Sequence, residues 1–131
     1  MEPVDYSRKD IGNRGEALAS DWLRAHGYTI VARNVARKTG ELDIVAKKQG
    51  VLIAVEVKTI LVNELPREGE VKDRYDPSAN LHEAKIRRVG RTLEWYSASI
   101  DFEGDIQVDA VLVWLRKRDF ESLVVHLPQI L

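Results

Sequence analysis

The stretch from Gly40 to Lys58, GELDIVAKKQGVLIAVEVK, constrains the fold more than any other part of the chain. Two strand-like runs, Glu41 to Lys48 and Val51 to Lys58, flank Gln49-Gly50, and a polar residue followed by glycine between such runs predicts a two-residue hairpin turn. That turn places Asp43 opposite Glu56, Glu41 opposite Lys58, Val45 opposite Ala54 and Lys47 opposite Leu52. On the other face Leu42 meets Val57, Ile44 meets Val55 and Ala46 meets Ile53, all of them apolar. A slip of one residue would send Asp43 and Glu56 to opposite faces and mix charge into the apolar side.

Two carboxylates directly opposite one another repel by roughly 3 kcal/mol at about 5 Å and an effective dielectric near 20, so something must compensate them. A divalent cation would turn that repulsion into coordination, because a small set of hard oxygen ligands suits Mg²⁺ or Mn²⁺ with waters retained. Lys58, two residues beyond Glu56, shares its side of the strand and would hold or polarise a water beside the ion. That is the layout of a metal-assisted phosphodiester hydrolase. A charged strand face is more commonly a solvated one, with Glu41 and Lys58 an ordinary cross-strand ion pair. Against this stands the run VLIAVEV, too apolar for a strand with one side in water, which makes Glu56 a costly buried carboxylate.

A chain of 131 residues supports one domain, residues 1–131, with one real core. The absence of Cys excludes disulfides and thiolate zinc sites and is compatible with a cytoplasmic location. The three His are scattered without ligand spacing. No stretch approaches the roughly 20 apolar residues of a membrane span, and MEPVDYSRKD has no signal-peptide core, so no membrane partner is expected. A net charge of −1 rules out an all-over basic nucleic-acid binder, so such binding would need a local basic surface.

Residues 1–6 read as a loose tail. Ile11 to His26 is the first expected helix, with Ser7 or Asp10 as N-cap and Gly27 ending it. Its stripe is Ile11, Gly15, Leu18, Ala19, Trp22 and Leu23, with Gly15 allowing close approach to a sheet, while Glu16 beside it reads as a solvated or ion-pairing residue. Tyr28 to Asn34 is a strand, and Arg33 to Lys38 a basic connection in which Arg33, Arg37 and Lys38 are either phosphate contacts or solvated loop charges. Residues 59–78 form a long loop, broken by Pro66, Gly69 and Pro77, that would close over a substrate. Asn80 caps a second helix to about Ser97, buried through Ile86, Val89, Leu93 and Tyr96. Lys85, Arg88 and Arg91, with Arg87 and Trp95 nearby, make its basic face, a place for phosphates or simply a solvated surface. Ile106 to Leu115 and Phe120 to Leu127 complete the sheet, with Asp109 the polar misfit, paired with a base or supporting the site from behind.

The segments GNRGEALASDWLRAHGYTIVARN, GELDIVA, VLIAVEVKT, PSANLHEAKIRRVGRTLEWY and QVDAVLV, taken in order, resemble the YraN-like family of Holliday-junction-resolvase-like proteins in the PD-(D/E)XK nuclease superfamily. The resemblance implies an α/β, restriction-endonuclease-like fold: a mixed central β-sheet flanked by helices in the order α-β-β-β-α-β-β. It implies that Asp43, Glu56 and the Val57 carbonyl bind the catalytic metal, that Glu16 joins them directly or through water, and that Lys58 orients or activates the attacking water. Glu41 and Lys85 match weaker positions, and Asp109 matches the Asp preceding the apolar fourth strand. Ala54 stands where relatives often carry an aromatic, and Ile60 where Arg commonly follows EVKT.

The expected function is a Mg²⁺- or Mn²⁺-dependent endonuclease acting on DNA, branched DNA included, in repair or recombination, with a homodimer expected by analogy to resolvases. The rival readings are a nucleic-acid-binding module without turnover and a protein-interaction scaffold with a vestigial acidic pocket.

Overall fold

Gln49 and Gly50 both take positive φ, 51° and 78°, the conformation a two-residue hairpin turn requires, and the turn sets the register of everything around it. The computed structural model of the chain describes residues 7–67, 69–71 and 83–131. The elements are α1 (Arg8–Ala25), β1 (Thr29–Arg37), β2 (Gly40–Lys48), β3 (Val51–Val62), α2 (Glu83–Ser99), β4 (Asp105–Arg116) and β5 (Ser122–Leu127). Among the described residues these elements follow the expected order, and residues 69–71, within the stretch expected as a loop, are helical.

The five strands form a single sheet in sequence order, antiparallel throughout except for the parallel pair β3 and β4. A parallel pair needs a crossover connection, and α2 lies within it. The two helices cover opposite faces. Ile44, Ala46, Ile53, Val55, Val111, Val113 and Leu115 pack against Ala19 and Leu23 of α1. Val45, Leu52, Ala54, Val108 and Ala110 pack against Ile86, Val89, Leu93 and Tyr96 of α2. Both strands at the centre are therefore apolar on both sides, as the run VLIAVEV requires.

Ser7 caps α1, its Oγ accepting from the Asp10 N–H at 3.2 Å, and Gly27 at φ 89° lets the chain leave it. Gly15 is indispensable to the approach of α1, since a Cβ there would stand 1.8 Å from Thr59 Oγ1.

Two strands run on past the ends expected of them. The strand β1 runs on to Arg37, so Arg33 and Arg37 are strand residues rather than part of a connection. The strand β3 runs to Val62, held by its parallel ladder with β4, so residues 59–62 of the expected long loop are strand. Beyond it Leu65 and Val71 are packed over Leu112, Trp114 and Val125, which ties the start of that segment to the sheet. The rest of the expected loop, 72–78, the Asn80 cap and the tail 1–6 lie outside the described residues. Among the described residues no helix is long and apolar enough to cross a membrane.

Candidate active site

From the turn to the Ile44–Val55 rung, β2 and β3 keep the expected register. Beyond that rung their loyalties divide: β2 stays with β1 as far as Arg37–Gly40, and β3 stays with β4 to Val62–Arg116. The expected Asp43–Glu56 and Leu42–Val57 rungs are absent from the ladder. In their place the Val57 N–H donates to Asp43 Oδ2 at 2.9 Å, so a carboxylate takes the position a strand carbonyl would have had. The N–H and C=O of one residue leave an extended strand on the same edge, so the Val57 carbonyl is directed toward Asp43 as well.

The pleat of β2 breaks at this same level. Leu42 joins the core beneath α2 with Val45 and Ala54, whereas Ile44 faces α1, so the wholly apolar face expected to contain both is split. Asn34, in β1 between the partners of Ile44 and Leu42, has φ 53°, and a left-handed residue within a strand reverses the alternation of its neighbours.

Glu56 is 3% exposed, and its Oε2 is buried without a hydrogen-bond partner. Burial first, and then the charge of Asp43, push its pKa up to about 8. Lys85 Nζ lies 3.9 Å from Glu56 Oε1 and acts the other way. It does not offset the burial, because the lysine side chain is itself more than half in solvent. Asp43 and Glu56, with Gly40 and Glu41 from the sheet and Lys85, Arg88 and Val89 from α2, line a pocket of about 250 Å³. Lys58 is half-buried on the same face of β3 as Glu56.

Glu16 reaches the region from α1, where it borders a separate hollow with Val57 and Thr59. Its Oε2 is buried without a hydrogen-bond partner, because Arg33 Nη2 stops at 3.6 Å, within ion-pair range only. Burial and then repulsion from Asp43 raise its pKa, while Arg33 and Asn34 oppose the shift. Arg33, expected as a phosphate contact or a solvated charge, is thus the counter-charge of Glu16. The two residues lie far apart in sequence, and no local signal joins them.

The donors present are carboxylates and a carbonyl, and two carboxylate oxygens are buried without a partner, which fits a hard divalent cation. Among the described residues no three acidic or histidine side chains converge closely enough to hold an ion by themselves, so such an ion would retain water.

The basic residues divide. Lys85 and Arg88 face the pocket, and Arg91 is exposed one turn beyond Arg88. Arg87 is held by Glu83 at 2.6 Å. Arg37 and Lys38 are exposed at the β1–β2 turn, which Thr39 docks onto α2 through Thr92 at 2.8 Å. Two basic segments distant in sequence therefore adjoin in space.

Asp109 does not support the pocket. It is level with Val55 and on its face of the sheet, beneath α1, and is fully buried. It does pair with a base: it receives His126 Nε2 at 2.7 Å, Gln107 Nε2 at 2.7 Å and the Gln129 N–H at 3.0 Å. These partners hold its pKa below the usual value against the effect of burial. Two of the histidines come together here through Trp22, which stacks on His26 at 3.7 Å and lies 5.2 Å from His126.

Comparison with known proteins places the chain in a family. Residues 15–113 match the model described as uncharacterised protein family UPF0102. The chain belongs to the UPF0102 family. It is similar to a UPF0102 protein of Leifsonia xyli, 33% identical over 94% of this chain and 97% of that one. A UPF0102 protein of Syntrophotalea carbinolica is 36% identical over 95% of this chain and 94% of its own. The family match takes in Glu16, Asp43, Glu56, Lys58 and Lys85. Among solved structures there is a likeness, at TM-score 0.36 and 11% identity, to Pyrococcus furiosus SfsA in complex with Ca²⁺; the match covers 92% of this chain and 64% of that one.

Proposed function

We propose that this UPF0102 protein is a divalent-metal-dependent endonuclease of restriction-endonuclease-like fold, hydrolysing phosphodiester bonds in DNA, branched DNA among its substrates. The observation that carries the reading is the buried Glu56 beside a half-buried Asp43 at the point where β2 and β3 part, with one Glu56 oxygen lacking a hydrogen-bond partner and two cationic side chains at the same pocket.

Asp43, Glu56 and the Val57 carbonyl would hold Mg²⁺ or Mn²⁺, with Glu16 reaching it directly or through water. When bound, the ion supplies charge stabilisation at the scissile phosphate. The chain's own residues do the rest. Asp43 is fixed by the Val57 N–H, so its carboxylate needs no reordering. Lys58, on the face of Glu56, orients a water for attack in line with the leaving oxygen. Lys85 and Arg88 receive the phosphate backbone, and Arg37, Lys38 and Arg91 extend that contact along the β1–β2 turn and α2. Glu41 is exposed at the pocket, where its charge helps keep a polyanion off the metal face except where cations are paired with it.

The test is cleavage of end-labelled DNA of several shapes with Mg²⁺ and with Mn²⁺, wild type beside Glu56→Gln. Cleavage by wild type that the variant loses supports the reading, and the preferred shape names the substrate. Equal cleavage by both would trace the activity to a contaminant. Metal binding without cleavage by either would favour a nucleic-acid-binding module.

A further inference from the structure

Trp95 is 68% exposed, the most exposed large apolar side chain among the described residues. Its position on α2 is specific. It follows Arg88 by seven residues, two helical turns, and therefore lies on the same line along the helix, about 10 Å from it by helix rise. Arg91 sits between them on the adjoining flank, and Arg88 lines the pocket of Asp43 and Glu56. Neither guanidinium, of Arg88 or of Arg91, has an ion-pair or hydrogen-bond partner among the described residues; the Arg88 carbonyl accepts from Thr92 Oγ1 at 2.8 Å. The exposed residues one turn from Trp95 on the helix surface are Arg91, Ala98 and Ser99, so the ring has only cationic and small side chains around it on α2. A protein-binding patch would bring further apolar side chains around it. A bare aromatic face beside guanidinium groups has the chemistry of a surface that stacks a nucleobase and pairs with its phosphates.

We propose that Trp95, with Arg88 and Arg91, forms a stacking platform for an unpaired nucleobase, so that the site engages DNA with a single-stranded segment adjoining the scissile phosphate. The inference rests on the nuclease reading for its orientation toward the pocket, and its own chemistry is separate. The distance from Arg88 to Trp95 equals about three stacked nucleotides at roughly 3.4 Å each. A base within a duplex keeps its faces covered by its neighbours, so the platform discriminates for single strands, flaps and junction arms over blunt duplex.

The experiment titrates the full chain, in EDTA so that no cleavage intervenes, with labelled single-stranded DNA and with blunt duplex of equal length, for wild type, Trp95→Ala and Trp95→Phe. Trp95→Ala should weaken single-strand binding roughly tenfold or more while Trp95→Phe stays close to wild type and duplex binding is unchanged. Because the ring is in solvent, all three proteins should melt alike. Equal single-strand affinity for wild type and Trp95→Ala would overturn the platform, as would a parallel loss on duplex. Cleavage by the same samples in Mn²⁺ separates the two ideas: binding through Trp95 without cleavage retains the platform and removes the nuclease, and cleavage with no role for Trp95 in binding does the reverse.

Discussion

Replacing Glu56 by Gln should stabilise the metal-free protein at alkaline pH. Glu56 is 3% exposed, faces Asp43 and has its pKa pushed up to about 8 from 4.5. Between those values the folded chain keeps a proton on Glu56 that the unfolded chain has released. The stability this group contributes is therefore complete below pH 4.5, declines as pH rises from 4.5 to about 8, and does not change further above that. At about 1.4 kcal/mol per pH unit the loss is on the order of 5 kcal/mol, a large part of the stability of a domain this size. Glutamine is isosteric and uncharged, so Glu56→Gln should match wild type near pH 5 and exceed it by several kcal/mol near pH 9. Urea denaturation across that range, in EDTA, measures both slopes. Saturating Mg²⁺ should recover the loss in wild type and leave the variant unmoved, because a ligand of the folded state stabilises in proportion to its binding. Parallel pH profiles for the two proteins would refute the reasoning, since burial and repulsion at Glu56 would then be absent.

The other expectations follow from the same geometry. Asp109→Asn should cost about 3 kcal/mol at neutral pH, by replacing a buried carboxylate that receives three donors, yet leave Mg²⁺ affinity intact because Asp109 lies on the other face of the sheet. In wild type, the depressed Asp109 pKa means that its contribution is present above the ordinary value of 3.8 and is lost as pH falls through the lower folded value, an acid limb that Asp109→Asn should lack in urea titrations. Gly15→Ala should destabilise by roughly 1–3 kcal/mol through the clash with Thr59, and adding Thr59→Ala should recover part of it in a double-mutant cycle by thermal melts. Arg88→Ala and Arg91→Ala should each lower the slope of log affinity for DNA against log salt by about 1, read by anisotropy at several salt concentrations.

Much of the fold was legible because its signals are local. The Gln49-Gly50 turn and the helical stripe Ile86, Val89, Leu93 and Tyr96 require only neighbouring residues and reappear in the structure, and the period-two runs reappear between the turn and the Ile44–Val55 rung. The strand ends were less legible. Thr59 to Val62 is strand because β4 pairs with it in parallel, and that partner lies more than 40 residues away. The polar pair of the site was legible as an anomaly, Glu56 in an apolar run opposite Asp43. The break in the pleat at Asp43, whose carboxylate accepts from the Val57 N–H, stands level with the left-handed Asn34 of another strand.

The sequence by itself determined the hairpin and its register from the turn to the Ile44–Val55 rung, because a two-residue turn and a period of two fix the pairing there, and that brings Asp43 and Glu56 to the level just beyond it. Only the tertiary structure decided where β2 and β3 part, that Arg33 is spent on Glu16, that Asp109 belongs with His126 beneath α1, and that the basic β1–β2 turn lies against α2. Each of these joins residues distant along the chain, and such pairings are settled by packing and charge once the sheet is formed, where no local preference acts.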